Sequence, residues 1–147
     1  MTDFLSYTWL HEAVSWLLAP SLVLLLAGCA IVLIEAGIAV GERFSGLARL
    51  RASGDVAQME RIARHRLERA DLLARIPPML GLMATIIPLG PGLAALGQGN
   101  PAALASAVTV AFDATVLGLV AGIGGLVIGK LRRRWYEETL DAMEAQA

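Results

Sequence analysis

With 147 residues, of which 56% are hydrophobic, and a mean hydropathy of +0.64, the chain has room for one domain and too much apolar surface for a soluble one. Its 12 basic and 13 acidic side chains leave a net charge of −1, so no basic surplus points to nucleic acid. The lone Cys29 excludes an internal disulfide and reads as a small buried hydrophobe.

The first twelve residues hold Asp3 and Glu12 but no Lys or Arg, and the apolar run from Ala13 to Val40 is too long for a signal-peptide core. A retained anchor is expected. Crossing the hydrocarbon takes about 20 apolar residues, and residues 17–40 supply the first span, with Tyr7, Trp9 and Trp16 as an aromatic belt at its outer end. Glu35, near the inner end, is expected to snorkel to the interface or to pair with Arg43.

Residues 41–75 are polar. From Gly54-Asp55, a plausible break and cap, Val56, Met59, Ala63, Leu67, Ala70 and Leu73 recur at helical spacing, and Glu60/Arg64 and Asp71/Arg75 form i,i+4 pairs. The second span covers residues 76–96. It starts at Ile76-Pro77-Pro78, where proline is tolerated. Pro88 and Pro91 fall inside, and each removes a backbone donor, so a kinked, interior helix is expected. The other reading sets the outer boundary at Pro88, with a re-entrant turn beyond. Gly81, Thr85, Gly90 and Gly92 add small and polar surface. The Thr85 hydroxyl can bond back to the Gly81 carbonyl or reach another helix.

After the short turn 97–101, the third span covers residues 102–128. Ala107, Ala111, Thr115, Gly118, Gly122, Gly125 and Gly129 lie on one stripe of small side chains, which predicts close helix packing, either within the chain or between copies. Ser106, Thr109 and Asp113 lie on a second stripe. Asp113 is the only acid in the two rear spans, and a charge at mid-helix costs ~3 kcal/mol on insertion scales, so it should face protein or water. It reads as part of an ion or proton path, or as a structural hydrogen-bonding group between helices. Thr115, two residues on, is roughly 200° around the helix from it. The tail 130–147 reads as a helix with a basic start, and Trp135 and Tyr136 read as a second interface belt.

Every Lys and Arg falls within 43–75 or 130–134. The positive-inside rule therefore puts 41–75 and 130–147 in the cytoplasm, with the N-terminus and the 97–101 turn outside. The fold class expected is all-α and polytopic: a single membrane domain, 1–147, of three spans with cytoplasmic helical extensions. Gly122-Ile123-Gly124-Gly125 has no preceding strand and makes a poor phosphate loop. No metal-ligand cluster or cofactor site is visible, Ser6 and Ser106 lack a nearby base, and no enzymatic activity is expected.

Gly81-Leu82-Met83-Ala84-Thr85-Ile86 resembles the Gly-Leu-Leu-Gly-Thr-Val opening of the second helix in MotA/TolQ/ExbB proton channel proteins, and Ala114-Thr115-Val116-Leu117-Gly118-Leu119 resembles their Ala-Thr-Ala-x-Gly-Leu in the third. The topology is similar too, over most of residues 17–140. The resemblance implies a multi-pass inner-membrane protein that forms a ring of subunits, typically a pentamer, around a dimer of a single-span MotB/TolR/ExbD-like partner whose membrane Asp takes protons. Proton flow would then drive mechanical work or transport in the cell envelope. Thr85 and Thr115 match the family's pore-lining threonines. The glutamate of TolQ and ExbB, five residues before the third-helix threonine, is Val110 here. Asp113, on nearly the same face, is expected to take over its role, with Thr109 alongside. Ala84 replaces a glycine, and the cytoplasmic segment is short. The rival expectation is a non-conducting scaffold subunit of a membrane complex.

Overall fold

The computed structural model describes residues 9, 12–42 and 56–145, and among these it contains helices and turns but no strand. Three helices carry the fold: α1 (Leu18–Gly41), α2 (Val56–Gly97) and α3 (Pro101–Glu144). Each is long and apolar enough to cross a membrane. The span and the polar helix expected on either side of residue 75 are one continuous α2, and the third span and its tail are one continuous α3. The Gly54-Asp55 cap, Tyr7 and Arg43 lie outside the described residues.

α2 and α3 form an antiparallel hairpin. Gly99 closes the turn with φ +81°, a conformation that suits glycine. The amides of Gly99 and Asn100 donate to the carbonyls of Leu96 and Ala95. Asn100 Oδ1 accepts from the Ala103 amide at 3.2 Å and caps α3, and Pro101 starts it.

The four prolines of α2 all lie inside the helix. Pro77 and Pro78 therefore sit in its interior rather than at a helix start, and no re-entrant turn begins at Pro88, since α2 runs on to Gly97. Pro77 and Pro78 lack the amides that would bond the carbonyls of Leu73 and Ala74. Across the interface stand Gly125 and Gly122. A Cβ on Gly125 would lie 2.9 Å from the Leu73 oxygen, and one on Gly122 would lie 3.1 Å from that of Ala74. The glycine Cα hydrogens thus face the freed carbonyls, a weak polar contact that helps replace the missing bonds. Gly81 and Gly118 face each other in the same way, with only 3.1 Å from a Gly118 Cβ to the Gly81 Cα. The small-residue stripe therefore joins α2 to α3 within one chain.

α1 leans on this hairpin along a narrow stripe of Ser21, Leu25, Val32, Glu35 and Ala39. Leu25 packs with Ala84 and Ala114, and Val32 and Ala39 with Ala121 and Ile128, while Cys29 borders the second cluster. Leu24, Leu33 and Ile34 point outward, as lipid-facing side chains do. Beyond the spans, Met59 and Ala63 of α2 bury Tyr136 of α3. Trp135 is half-buried and packs against the Val32 cluster. The expected second belt is thus turned inward, because Ile128, Arg132 and Tyr136 extend the buried stripe of α3 at intervals of four.

Candidate functional site

The hairpin brings Thr85 and Thr115 together. Gly81 and Gly118, one turn from each, let the backbones approach closely enough for two short hydroxyl side chains to meet. Their Oγ1 atoms contact each other directly across the α2/α3 interface. Thr85 Oγ1 also lies 2.8 Å from the Gly81 carbonyl oxygen and 3.1 Å from that of Ala111, and Thr115 Oγ1 lies 3.0 Å from the Ala111 oxygen. Both threonines are half-buried.

A hydroxyl donates once and accepts twice. Either Thr115 donates to Thr85, which donates onward to Gly81 or Ala111, or Thr85 donates to Thr115, which donates to Ala111. The two patterns use the same heavy-atom positions. Such a pair can reverse its hydrogen-bond direction by hydroxyl rotation, with no helix movement and no buried charge.

Thr109 and Asp113 are not part of this pair. Both are exposed on α3, on the side away from Thr115, with Val110 on the same exposed side. The Thr109 hydroxyl donates to the Ala105 carbonyl at 3.0 Å, within its own helix. The four residues expected to make up one path therefore separate into a hydroxyl pair inside the hairpin and a polar strip on its surface.

A buried ionic cluster is the feature that sequence reasoning missed. Arg132, fully buried, donates from Nη1 to Glu35 Oε2 at 2.6 Å, and its Nε lies 3.2 Å from Glu42 Oε2. Arg66 Nη1 reaches Glu42 Oε1 at 2.9 Å, and Arg69 Nη1 stands 3.9 Å from Glu35 Oε1. Glu35 does not snorkel: it is 5% exposed and held by cations of both other helices. Only the position of Arg132, in register with Ile128 and Tyr136, hinted at its burial. Its Nη2 has no hydrogen-bond partner among the described residues. Beside the cluster, burial pushes the Tyr136 phenol above its ordinary value, and the nearby Glu42 charge pushes it further up.

A model of the MotA/TolQ/ExbB proton channel family matches residues 37–145, which include both threonines, Asp113 and most of the ionic cluster. No curated protein and no solved structure matches the chain. The match covers most of the chain and agrees with its three membrane-crossing helices, so the chain belongs to the MotA/TolQ/ExbB proton channel family.

Proposed function

We propose that this protein is the proton-conducting subunit of an inner-membrane energiser, working as a ring with a single-span, Asp-bearing partner of the MotB/TolR/ExbD type. The observation that carries this reading is the Thr85–Thr115 hydroxyl pair at the α2/α3 interface, in a chain of a proton channel family. Hydroxyls can relay or solvate a proton without becoming charged themselves. The role is one of transport rather than catalysis, and the energy it releases goes to mechanical work or transport in the envelope.

Oligomer formation is supported by Asp113. On a single chain its carboxyl is exposed at the middle of a span, which costs ~3 kcal/mol or more against lipid. A neighbouring copy, a partner helix or an aqueous path would relieve that cost. Val110, the counterpart of the family's glutamate, lies three residues away on the same exposed side, so Asp113 is suited to supply the acid there. The basic ends, with Arg66, Arg69 and residues 130–134, favour an N-out, C-in arrangement by the positive-inside rule.

A second reading, a non-conducting scaffold, draws on the Gly81 and Ala111 carbonyls, which lie within hydrogen-bond distance of the hydroxyls and can anchor the pair as a structural contact. Proton flux into liposomes holding the chain, alone and with its single-span partner, separates the two. Conduction predicts flux above that of an unrelated three-span protein once the partner is present. Equal flux in both would leave only the scaffold.

A further inference from the structure

At the basic end of the hairpin, where small Ala70, Ala74, Gly125 and Gly129 let α2 and α3 pack closely, the larger side chains on either side frame a groove of about 450 Å³. Its α2 wall carries Glu68 and Asp71, its α3 wall carries Lys130 and Arg133, and Leu67 and Leu126 add apolar surface. The groove is therefore bipolar, with two acids facing two bases. The Glu68 and Lys130 side chains have no hydrogen bond or ion pair with any described residue. Among the described residues, Asp71 and Arg133 hold only exposed i,i+4 pairs, to Arg75 and Glu137, which are weak and exchangeable.

The groove also sits at a telling depth. Leu126 belongs to the apolar span and Lys130 follows its end, while Leu67 lies nine residues before the second span, about 14 Å along the helix. It straddles the edge of the hydrocarbon and the headgroup layer. Toward the membrane centre its face continues through Leu119 and Leu82, both exposed, which follow Leu126 and Asp71 at helical spacing.

We infer that this groove binds a zwitterionic phospholipid whose headgroup carries a primary ammonium. The phosphate would accept from Lys130 and Arg133, the ammonium would donate to Glu68 and Asp71, and the acyl chains would lie along Leu126, Leu119 and Leu82. A choline headgroup has no N–H to donate, and a glycerol headgroup has no cation to offer the acids. The inference rests on charge complementarity and depth and is independent of proton conduction.

The test is native mass spectrometry of the full chain in detergent with palmitoyl-oleoyl phosphatidylethanolamine, phosphatidylcholine or phosphatidylglycerol. The ethanolamine lipid is expected to bind about fivefold more tightly than either other lipid, the scale of one exposed charge-assisted contact. Glu68→Gln with Asp71→Asn should erase its advantage over choline, and Lys130→Gln with Arg133→Gln should weaken all three lipids. These residues are exposed, so the variants should keep their fold, checked by thermal unfolding. Equal binding of the three lipids, strongest binding of the glycerol lipid, or a preference unchanged in the variants would overturn the inference. So would near-complete disulfide formation between Glu68→Cys and Lys130→Cys on co-expressed copies, because the occupant would then be a second chain.

Discussion

Arg132 Nη1 donates to Glu35 Oε2 at 2.6 Å, and this buried contact joins two residues 97 positions apart on α3 and α1. With Glu42 and Arg66 it ties all three helices at one end of the bundle. Removing the guanidinium leaves the buried Glu35 carboxylate with only Arg69 at 3.9 Å, while Glu42 keeps Arg66; loss of one partner of a truly buried pair costs ~3–5 kcal/mol. Arg132→Leu is therefore expected to lower the unfolding temperature in detergent sharply. Glu35→Leu added to Arg132→Leu should recover part of the loss, because the stranded charge, more than the missing attraction, drives it. No recovery in the double variant would mean that the pair is not a buried, coupled unit.

The helix interface makes a second prediction, which separates glycines by what a methyl group would meet. A Cβ on Gly125 would stand 2.6 Å from the backbone of Leu73 and Ala74, which cannot move aside without disturbing α2. Gly125→Ala should destabilise by ~1–3 kcal/mol through overpacking. Gly37 has open space around it, so Gly37→Ala should be neutral or slightly stabilising. Thermal unfolding of the two single variants checks the contrast, and equal effects would contradict the packing described.

Tyr136 gives the stability a pH dependence. Its phenol is held above its ordinary value of 10.0 in the folded chain, chiefly by burial and then by Glu42. A group of this kind contributes fully below its unfolded pKa, and its contribution is lost as pH rises toward the folded one. Stability should therefore be insensitive to this residue at neutral pH and fall above about pH 10. Tyr136→Phe should flatten that alkaline limb, read as unfolding temperature against pH. An unchanged limb would mean that other groups cause it.

Asp113 tests the exposed strip of α3 separately from the hydroxyl pair. If the strip faces an aqueous path in the assembled ring, Asp113→Asn keeps assembly and lowers proton flux by about tenfold, which corresponds to ~1.4 kcal/mol in the barrier. If the strip only packs against another helix, flux survives. Size-exclusion of the assembled complex beside the flux assay tells the cases apart.

The spans, the polar helices that extend them and the stripe from Gly118 to Gly129 were legible in the residue pattern, because a period of 3.6 and an apolar length leave little choice in a bilayer. The pattern did not say whether that stripe would be used within the chain or between copies. The Leu73 and Ala74 carbonyls, freed by Pro77 and Pro78 and facing Gly125 and Gly122, answer that. The family resemblance singled out Thr85 and Thr115, but their meeting was not legible, since contact across a hairpin depends on register. The Glu35–Arg132 pair was hidden because Arg132 sits in a run of three arginines, each compatible with a solvated position, and only packing singles out the middle of the stripe. What covers Asp113 depends on chains other than this one.

The central claim is that the paired hydroxyls at positions 85 and 115 carry the proton. Its most direct measurement is pH-gradient-driven flux in vesicles holding the assembled complex, comparing the native chain with Thr115→Ser and Thr115→Val. The account predicts that serine, which keeps the hydroxyl, sustains flux, and that valine, equal in shape but without a donor, loses most of it while the complex stays intact. Native flux in the valine variant would contradict it.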